Sequence, residues 1–336
     1  MKINSKMNVL VTGGTGFVGG AIVRALVKEG HHVRVLARRT SKTEHLTAQG
    51  VEIAHGDILD RVSIEAALQG CDTLYHAAAL YDLWGLDQQT LTRVEVEGTR
   101  NALEATLKSS VGKVVYTSTA VTIGEPKGEV GTEKTQHRGY FLSKYERAKF
   151  EAEQLAMTYL DKGLSIIIVN PAAVYGPGDF KPSGRFMIDL VNGRIPSLSA
   201  GVSSFVYIDD VGVGHVLAAK KGQVGERYIL CERVIKMPEV AHLICQLSGA
   251  KMPSIVPTFL AGAGARLFEM ASRFTKRPPV ISSETFRLIV HGFQVDGSKA
   301  VKELGIKYTP LEEGIRKTIL WYWEQGLLKR KPTCVT

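Results

Sequence analysis

The chain has 336 residues, 44% of them hydrophobic, and a formal net charge of +9 from 42 Lys and Arg against 33 Asp and Glu. This length suits one large core or a core domain with a smaller lobe, and no apolar run reaches the ~18 residues that span a bilayer. Residues 1–8 lack the apolar core of a signal peptide, and no aromatic and basic stripe accompanies the charge, so we expect a cytoplasmic protein without a nucleic-acid partner.

Short apolar runs alternate with longer helical patterns through the first half of the chain. The predicted strands are 8–12, 32–37, 51–54, 72–76, 112–117 and 164–170, and the predicted helices are 17–29, 61–69, 88–108 and 139–162. This alternation is typical of a parallel sheet with helices on both faces, which binds its ligand at the carboxyl ends of the strands. We therefore predict an α/β fold with a doubly wound parallel sheet.

The pattern changes after Tyr175-Gly176-Pro177-Gly178. Short helices follow near 183–193, 209–220, 237–248, 258–273, 281–290 and 310–326, with strands near 204–208 and 226–230. We interpret residues 7–177 as a nucleotide-binding domain, to which a segment at about 204–220 returns, and residues 178–327 as a smaller, mostly helical substrate-binding lobe. The basic run within 328–336 predicts a disordered tail.

The first predicted strand leads into a glycine-rich turn, Thr12-Gly13-Gly14-Thr15-Gly16-Phe17-Val18-Gly19. Gly13 permits a tight turn, Gly16 lets the backbone approach a pyrophosphate, and Gly19 lets the following helix pack close to the strand. The helix N-terminus then directs free N–H groups and its positive dipole end toward the anion. This order predicts an NAD(P)-binding Rossmann domain that contacts its cofactor through Gly13, Thr15, Gly16, Phe17 and Val18.

The end of the second strand indicates which dinucleotide is bound. NAD sites usually place a carboxylate there to hold the ribose 2′-hydroxyl, whereas this chain has Arg38 and Arg39. Guanidinium groups suit a 2′-phosphate by paired hydrogen bonds and by stacking on adenine. We therefore expect NADP(H), with NAD(H) as the alternative if the two arginines are merely exposed.

Three further turns complete the predicted cofactor site. Asp57-Ile58 follow the third strand and fit a turn that contacts adenine, although an Asp there is almost equally typical of a helix start. Small residues after His76 would let the dinucleotide lie close to the backbone, with Ala77 and Ala79 as contacts and His76 as a packed histidine. Thr117, at the end of the fifth strand, is a further predicted contact.

A Tyr-x-x-x-Lys pattern occurs twice, as Tyr140 with Lys144 and as Tyr145 with Lys149. In a helix over 139–162, the stripe that begins at Tyr145 is apolar and can pack on the sheet, whereas the stripe from Tyr140 is charged. Only Tyr145 should therefore point toward a cofactor on the sheet, with Lys149 one turn later on the same face.

This pair has the chemistry of a proton carrier. A free tyrosine, with a pKa of ~10, is a poor one at neutral pH, but the Lys149 ammonium and a positive nicotinamide would favour its phenolate. Tyr145 would then protonate a carbonyl oxygen as hydride arrives, or deprotonate an alcohol as hydride leaves. Lys149 would also hold the nicotinamide ribose, and Thr119, rather than Ser118, would donate a hydrogen bond to the substrate oxygen. Thr119, Tyr145 and Lys149 are the predicted catalytic residues.

Together these motifs resemble the extended short-chain dehydrogenase/reductase family over nearly the whole chain. Besides the glycine turn and Tyr145-x-x-x-Lys149, the shared stretches lie at 115–119, 170–178, 205–211 and 225–228. The narrower resemblance is to dihydroflavonol-reductase-like members, including farnesol dehydrogenases and hopanoid-associated epimerases. The resemblance implies that Thr119 is the active-site hydroxyl and that residues 171–174 line the nicotinamide, with Pro171 and Val174 as contacts.

The chain departs from the family's pattern at three places. Its fourth helix has Glu95-Val96-Glu97-Gly98-Thr99 where the family often begins with Asn, which changes the packing or the water network there. Ser203-Ser204 stand where sugar-nucleotide epimerases usually carry an arginine for the nucleotide phosphate. Thr119-Ala120-Val121 lacks the carboxylates that sugar dehydratases use for elimination.

The predicted substrate side is apolar. Leu80, Tyr81, Leu83 and Trp84 follow the fourth strand, and Tyr81 and Trp84, together with Thr119, form the predicted pocket. The helical pattern at 258–273 is interpreted mainly as a core helix. We expect an isoprenoid, steroid-like or flavonoid-like alcohol and its carbonyl as substrates. The alternatives are an NAD-dependent nucleotide-sugar epimerase and a non-enzymatic dinucleotide-binding protein.

The cysteine pattern bears on metals and disulfides, and two of the predicted helices bear on assembly. The four cysteines, Cys71, Cys231, Cys245 and Cys334, are dispersed and form no metal-binding pattern, so we expect neither a metal site nor a disulfide. The predicted helices 88–108 and 139–162 favour a homodimer with a four-helix interface. An apolar substrate is also compatible with peripheral contact to a membrane surface.

Overall fold

Strands and helices alternate as far as β6 in the computed structural model, which describes residues 6–80, 87–257 and 283–335. The strands are β1 (Asn8–Thr12), β2 (His32–Ala37), β3 (Glu52–His55), β4 (Thr73–His76), β5 (Lys113–Thr117), β6 (Ile166–Pro171), β7 (Ala173–Tyr175), β8 (Ser197–Ser199), β9 (Val202–Tyr207), β10 (Arg227–Leu230), β11 (Arg233–Lys236) and β12 (Ser254–Val256).

The helices are named in the same way, in chain order. They are α1 (Phe17–Lys28), α2 (Glu44–Thr47), α3 (Arg61–Ala67), α4 (Gln88–Thr92), α5 (Gly98–Leu107), α6 (Lys144–Thr158), α7 (Pro182–Val191), α8 (Ile208–Lys221), α9 (Met237–Ser248), α10 (Ser283–His291) and α11 (Leu311–Glu324). Arg93–Glu97 and Ala300–Leu304 form π-helical turns, and Ala120–Ile123 and Thr333–Val335 form 3₁₀ turns.

The main sheet has seven strands in the order β10-β6-β5-β4-β1-β2-β3. Every neighbouring pair is parallel. The chain runs from β1 to one edge through β2 and β3, and then returns to the other side of β1 through β4. Open α/β sheets bind ligands beside such a reversal, at the carboxyl ends of the strands. The predicted doubly wound Rossmann fold is confirmed.

Alternate residues of the central strands face two separate helical layers. Val9 and Val11 of β1 join a buried cluster that contains residues of α1 and α8, whereas Leu10 joins a cluster with residues of α3 and α5. Helices α1 and α8 approach closely, because a Cβ on Gly212 would lie 2.4 Å from the carbonyl oxygen of Ala21. Burial on both faces explains why these strands are continuous apolar runs in the sequence.

The second half of the chain forms smaller sheets and a third cluster. β9 pairs in parallel with β7 and antiparallel with β11, and β8 pairs with β12. Buried residues of α7, α9 and α11 pack together beside these sheets. β10 joins the main sheet next to β6. The domain boundary at residue 177 stays a prediction, with β10 and α8 as the later segments that pack with the first domain.

Several predicted elements differ in detail from the observed ones. Helix α6 begins at Lys144, because the side chain of Ser143 caps it there, and not at residue 139. The predicted helix 88–108 is divided into α4, a π-helical turn and α5. The short strands β7, β8, β11 and β12 were not predicted. The predicted helix 258–273 lies outside the described residues.

The prediction of a disordered basic tail is wrong. The side chains of Lys329, Arg330 and Lys331 are exposed, but Leu328 before them is buried. The backbone N–H of Lys329 donates to Asn192 Oδ1 at 2.8 Å. Thr333 Oγ1 donates to carbonyl oxygens at the end of α9, at 2.8 and 3.0 Å. An apolar residue before the basic run and a hydroxyl after it therefore anchor this segment.

Candidate functional site

The glycine turn and the end of β4 meet at the carboxyl edge of the main sheet. Gly13 has a φ of +74°, and a Cβ there would lie 2.6 Å from the carbonyl oxygen of Ala77, so both conformation and space require glycine. Gly16 precedes α1 and provides no side-chain cap for it. A Cβ on Gly19 would lie 2.1 Å from the Gly13 oxygen, so the first turn of α1 packs on the glycine turn itself. The first N–H groups of α1 therefore stay available for a pyrophosphate.

The other predicted contacts surround this edge. Thr15 and Ala79 are exposed, and Phe17, Val18 and Ala77 are half-buried. Arg38 and Arg39 follow β2 and are both exposed. The structure records no ion pair or side-chain hydrogen bond between either guanidinium and a residue in the described ranges. These residues would fit a dinucleotide, with its pyrophosphate beside the small residues and its adenosine ribose toward the two arginines.

Asp57 is not the residue that begins the next helix. Asp60 is the N-cap of α3, and the Asp57 carboxylate instead accepts a hydrogen bond from the backbone N–H of Leu59 at 2.9 Å. Ile58 lies against the start of α5, because a Cβ on Gly98 would be 2.7 Å from Ile58 Cδ1. These contacts hold the turn in place, and Asp57 has no helix-capping role. The turn therefore has the fixed geometry that contact with an adenine would need.

Lys149 is buried in α6, with 2% of its surface exposed. Its Nζ donates to the carbonyl oxygen of Thr117 at 3.0 Å and lies 3.3 Å from Glu95 Oε2. Burial alone would lower the pKa of Lys149, but attraction to Tyr116, Glu95 and Tyr145 raises it above its ordinary value. The interior thus holds a fixed ammonium group at the end of β5.

Tyr145 lies at the second residue of α6, one turn before Lys149. The Oγ of Ser143 caps the helix by accepting from the backbone N–H of Glu146 at 3.0 Å, which fixes this turn. Tyr145 is half-buried, whereas Tyr140 precedes the helix and is 52% exposed. The charged helical stripe expected from Tyr140 is therefore absent, since Tyr140 is not in the helix. The choice of Tyr145 over Tyr140 stays a prediction, favoured by this burial.

Thr119 is half-buried, two residues after the end of β5, and it precedes the 3₁₀ turn. Its carbonyl oxygen accepts from Asn170 Nδ2 at 3.2 Å and from Thr122 Oγ1 at 2.7 Å. The hydroxyl of Ser118, in contrast, is buried and donates to Glu153 Oε2. Because that hydroxyl already has a partner inside the protein, Thr119 is the better candidate for contact with a substrate oxygen.

Sequence reasoning missed a buried polar network that supports this strand end. Glu153 Oε2 also accepts from Thr122 Oγ1 and Asn170 Nδ2, each at 2.8 Å, and Glu153 Oε1 lies 3.2 Å from an Arg227 nitrogen. The network joins the segment after β5, β6, β10 and α6 around one carboxylate. The sequence offers two signals: Glu153 lies one turn after Lys149, and Ala152-Glu153 belong to the stretch that resembles the family.

The side chain of Thr117 has a different contact from the expected one, and His76 is packed in the interior as expected. The hydroxyl of Thr117 lies 3.0 Å from His215 Nε2, so its carbonyl oxygen, and not its side chain, contacts the site through Lys149. His76 lies 2.8 Å from Thr12 Oγ1 and stacks on Tyr116. Burial lowers the pKa of His76 to about 3, so this histidine is neutral and packed.

The remaining predicted residues lie at the far side of the site or outside the described residues. Pro171 is buried at the end of β6, and Val174 is half-buried in β7. Tyr81 and Trp84 lie outside the described residues. Ser203 and Ser204 stand where epimerases carry the arginine. Ser203 is half-buried, and Ser204 is buried and donates to the carbonyl oxygen of Phe293 at 3.1 Å.

Within the described ranges, no three His, Cys, Asp or Glu side chains lie together in a way that would hold a metal ion. Cys71, Cys231, Cys245 and Cys334 are all free thiols. No helix in the same part of the chain combines the length and apolarity needed to cross a bilayer.

Comparison with known proteins shows similarity over nearly the whole chain. Residues 9–231 match the NAD dependent epimerase/dehydratase family. The chain is 34% identical over 328 residues to sterol demethylase protein B of Methylococcus capsulatus, covering 96% of this chain and 100% of the relative. It is 32% identical over 328 residues to a putative dihydroflavonol 4-reductase of Synechocystis, covering 95% of each.

A solved structure shows the same similarity in three dimensions. The crystal structure of gox2253 superposes with a TM-score of 0.84 at 32% sequence identity, covering 96% of this chain and 100% of that one. The family match and the solved structure agree with the parallel seven-stranded sheet described above. The chain therefore belongs to the NAD dependent epimerase/dehydratase family, the extended short-chain dehydrogenases/reductases, and is an NAD(P)-dependent oxidoreductase.

Proposed function

We propose that the chain is an NADP(H)-dependent oxidoreductase that interconverts an apolar alcohol and its ketone or aldehyde, with Tyr145 as the general acid and base. The observation that carries this proposal is the geometry of Lys149. Its buried Nζ is held by Thr117 at the end of β5, one helical turn from Tyr145. A fixed cation beside a half-buried phenol supports proton transfer at the phenolic oxygen.

The residues have separate roles in the proposed reaction. Bound nicotinamide would supply the hydride in reduction or accept it in oxidation. In reduction, the carbonyl carbon gains the hydride and the carbonyl oxygen gains the proton of the Tyr145 hydroxyl, which leaves an alcohol and a phenolate. Lys149 stabilises that phenolate, and the Thr119 hydroxyl donates a hydrogen bond to the same oxygen as its charge develops.

The preference for NADP(H) rests on the end of β2. Arg38 and Arg39 are exposed there, and no carboxylate of the strand end is available for a ribose 2′-hydroxyl. Two guanidinium groups would form charge-assisted hydrogen bonds with a 2′-phosphate. The turn at Asp57-Ile58 lies at the end of the neighbouring strand, where it would contact the adenine.

An apolar substrate is favoured by two independent points. Relatives of the chain are named for sterol, dihydroflavonol and farnesyl-quinoline chemistry. Ser203-Ser204 stand where an arginine would bind a nucleotide diphosphate, which disfavours sugar nucleotides. Tyr81 and Trp84 stay the predicted lining of the apolar pocket.

The proposal is tested by measuring NADPH consumption together with product formation for two substrate panels. One contains isoprenoid, steroid-like and flavonoid-like ketones and aldehydes, and the other contains UDP-sugars. We expect one NADPH oxidised for each alcohol formed from a member of the first panel. Isomerisation of a UDP-sugar without net NADPH consumption would contradict the proposal and establish the epimerase alternative. Binding of NADPH with no turnover of either panel would favour a dinucleotide-binding protein.

Cellular location and assembly go with this function as proposals. We propose a cytoplasmic homodimer in which α5 and α6 of the two subunits form a four-helix interface. Uptake of an apolar substrate would involve peripheral contact with a membrane surface. Sedimentation of the purified protein tests the dimer directly.

A further inference from the structure

Glu95 is a buried acid in the middle of the site and has no role in the proton transfer described above. It lies in the π-helical turn between α4 and α5, and only 1% of its surface is exposed. Burying a carboxylate is costly unless a cation and hydrogen-bond donors satisfy it. A π-helical turn within a longer helix often marks a functional site, because it changes the direction of one side chain.

Both oxygens of the Glu95 carboxylate have partners in the site. Oε2 lies 3.3 Å from Lys149 Nζ, and Oε1 accepts a hydrogen bond from the backbone N–H of Leu80 at 2.6 Å. Leu80 belongs to the segment after β4, which carries Ala77 and Ala79 of the predicted cofactor site. One side chain thus connects the ammonium beside Tyr145 to the backbone beside the cofactor.

The next turn of the same segment supports this placement. Gly98 allows α5 to approach Ile58 closely, and Thr99 Oγ1 lies 3.4 Å from His76 Nε2. Ile58 belongs to the predicted cofactor site, and His76 ends the strand that leads into it. The segment 95–99 is therefore fixed against the site at three places, so Glu95 has little freedom to move away from Lys149.

Other titratable groups near Lys149 do not replace Glu95. They are His76 of β4, Tyr116 of β5, and Tyr145 and Glu153 of α6. His76 is neutral because burial lowers its pKa to about 3, and burial raises the pKa of Tyr116, whose ring lies 5.4 Å from Lys149 Nζ. Glu153 pairs with Arg227. Among the described residues, Glu95 is the carboxylate within ion-pair distance of Lys149.

We propose that Glu95 is a positioning residue that holds Lys149 against Thr117 and offsets its positive charge, so that Tyr145 keeps its proton to higher pH. The inference rests on the proposed role of Tyr145 and Lys149. A neutral Asn, which the family often has at this position, would leave the ammonium uncompensated and would favour the phenolate more strongly. With Glu95, the hydroxyl form of Tyr145 persists at neutral and mildly alkaline pH, which favours its action as an acid in carbonyl reduction.

The test compares the wild type with Glu95→Gln and Glu95→Asp. For each protein, kcat and kcat/KM are measured as a function of pH in the direction of alcohol oxidation, with thermal unfolding as the check on folding. Glu95→Gln should lower the apparent pKa in the pH profile of alcohol oxidation by about one pH unit, because the anion beside Lys149 is removed. Glu95→Asp keeps the charge and should leave that pKa within about 0.3 unit, at a lower rate because the shorter side chain holds Lys149 less well.

A purely structural role for Glu95 would lower the rate of Glu95→Gln equally at all pH values, and an unshifted pKa would overturn the inference. Tyr145→Phe separates this failure from failure of the proposed function. If Tyr145→Phe keeps its activity, the role of Tyr145 is wrong. If Tyr145→Phe is inactive and Glu95→Gln has an unshifted profile, only the role of Glu95 is wrong.

A second measurement covers the case in which Glu95→Gln does not fold. The ultraviolet difference spectrum between the wild type and Tyr145→Phe, recorded as a function of pH without cofactor, reports ionisation of Tyr145 alone. The inference predicts that Tyr145 keeps its proton at neutral pH, because the positive charge of Lys149 is partly offset. Ionisation of Tyr145 at neutral pH would overturn it.

Discussion

The prediction that the protein binds NADP(H) depends on Arg38 and Arg39. It can be tested by substituting these single side chains. Both lie at the end of β2, exposed and without an ion-pair partner in the described ranges. A 2′-phosphate would gain charge-assisted hydrogen bonds from them, and NADH would not. Their substitution should therefore discriminate between the two cofactors.

Arg38→Ser should raise KM for NADPH by about tenfold to a hundredfold, as expected from the loss of one or two charge-assisted hydrogen bonds. KM for NADH should change by less than about twofold, since NADH lacks the phosphate. Steady-state kinetics with both cofactors provide the comparison. Arg330→Ser, at an exposed arginine far along the chain, serves as the charge-matched control. An equal change in KM for both cofactors would mean that Arg38 does not contact the 2′-phosphate.

Some residue-level features could be read from the sequence and others could not. The glycine turn and the buried His76 follow from local pattern, and the structure agrees with the turn's requirement for Gly13. The contact of Glu95 with Lys149 joins residues 54 positions apart on different helices, so no local spacing indicates it. Glu95 stood out only as a departure from the family's Asn.

At the scale of elements, the start of α6 determines where Tyr145 lies. Ser143 caps the helix through its side chain, and Tyr145 is the second helical residue. The hydrophobic pattern alone predicted a start at residue 139, because the loop before Ser143 continues the same period. The physical signal for the true start is the capping serine followed three residues later by Glu146, the sequence pattern of a capping box. In the structure the Glu146 carboxylate accepts from the backbone N–H of Leu142 at 2.7 Å.

Ser143→Ala should destabilise the protein by about 1 kcal/mol, the typical cost of an N-cap hydrogen bond. It should also reduce kcat, because the first turn of α6 holds Tyr145. Denaturant unfolding and steady-state kinetics measure the two effects. Thr43→Ala is the matched control, since Thr43 precedes α2 without a side-chain cap and should change neither quantity. Unchanged stability and kcat in Ser143→Ala would show that the cap does not fix the site.

The strands of the main sheet were predicted to within two residues at each end, because burial on both faces makes them continuous apolar runs bounded by polar turns. The short strands β8 and β12 are three residues each and half-exposed, so they give no such run. The π-helical turn at Arg93–Glu97 keeps a helix-like hydrophobic pattern, which explains why a single helix over 88–108 was predicted.

At the scale of the whole molecule, a buried acidic cluster links stability to pH. Glu125 is 2% exposed and lies beside a small cavity lined also by Arg138, Glu146 and His291. Burial raises the pKa of Glu125 from 4.5 to about 7. The folded protein thus holds a proton that the unfolded chain releases as pH rises above about 4.5, so this group's contribution to stability falls between about pH 4.5 and pH 7 and is constant above.

Glu125→Gln removes this titration. The free energy of unfolding of the wild type, relative to Glu125→Gln, should fall by at most about 3 kcal/mol between pH 4.5 and pH 7.5. Denaturant unfolding of both proteins at several pH values measures this difference. The lowered pKa values of His137 and His291 have the opposite effect on stability, but both histidines are present in each protein and cancel in the comparison. A difference independent of pH would show that Glu125 is ionised in the folded protein.

We propose that Tyr145, beside the buried Lys149, moves the proton in a hydride-transfer reaction. The most direct test is kcat for NADPH-dependent reduction of an apolar carbonyl by the wild type, Tyr145→Phe and Tyr140→Phe. Both variants lose one phenolic hydroxyl of a Tyr-x-x-x-Lys pair, and only Tyr145 lies in α6. We expect kcat to fall by about a hundredfold or more in Tyr145→Phe, which is typical for removal of a general acid, and to stay close to the wild-type value in Tyr140→Phe. Full activity in Tyr145→Phe, with the loss in Tyr140→Phe, would contradict the role of Tyr145.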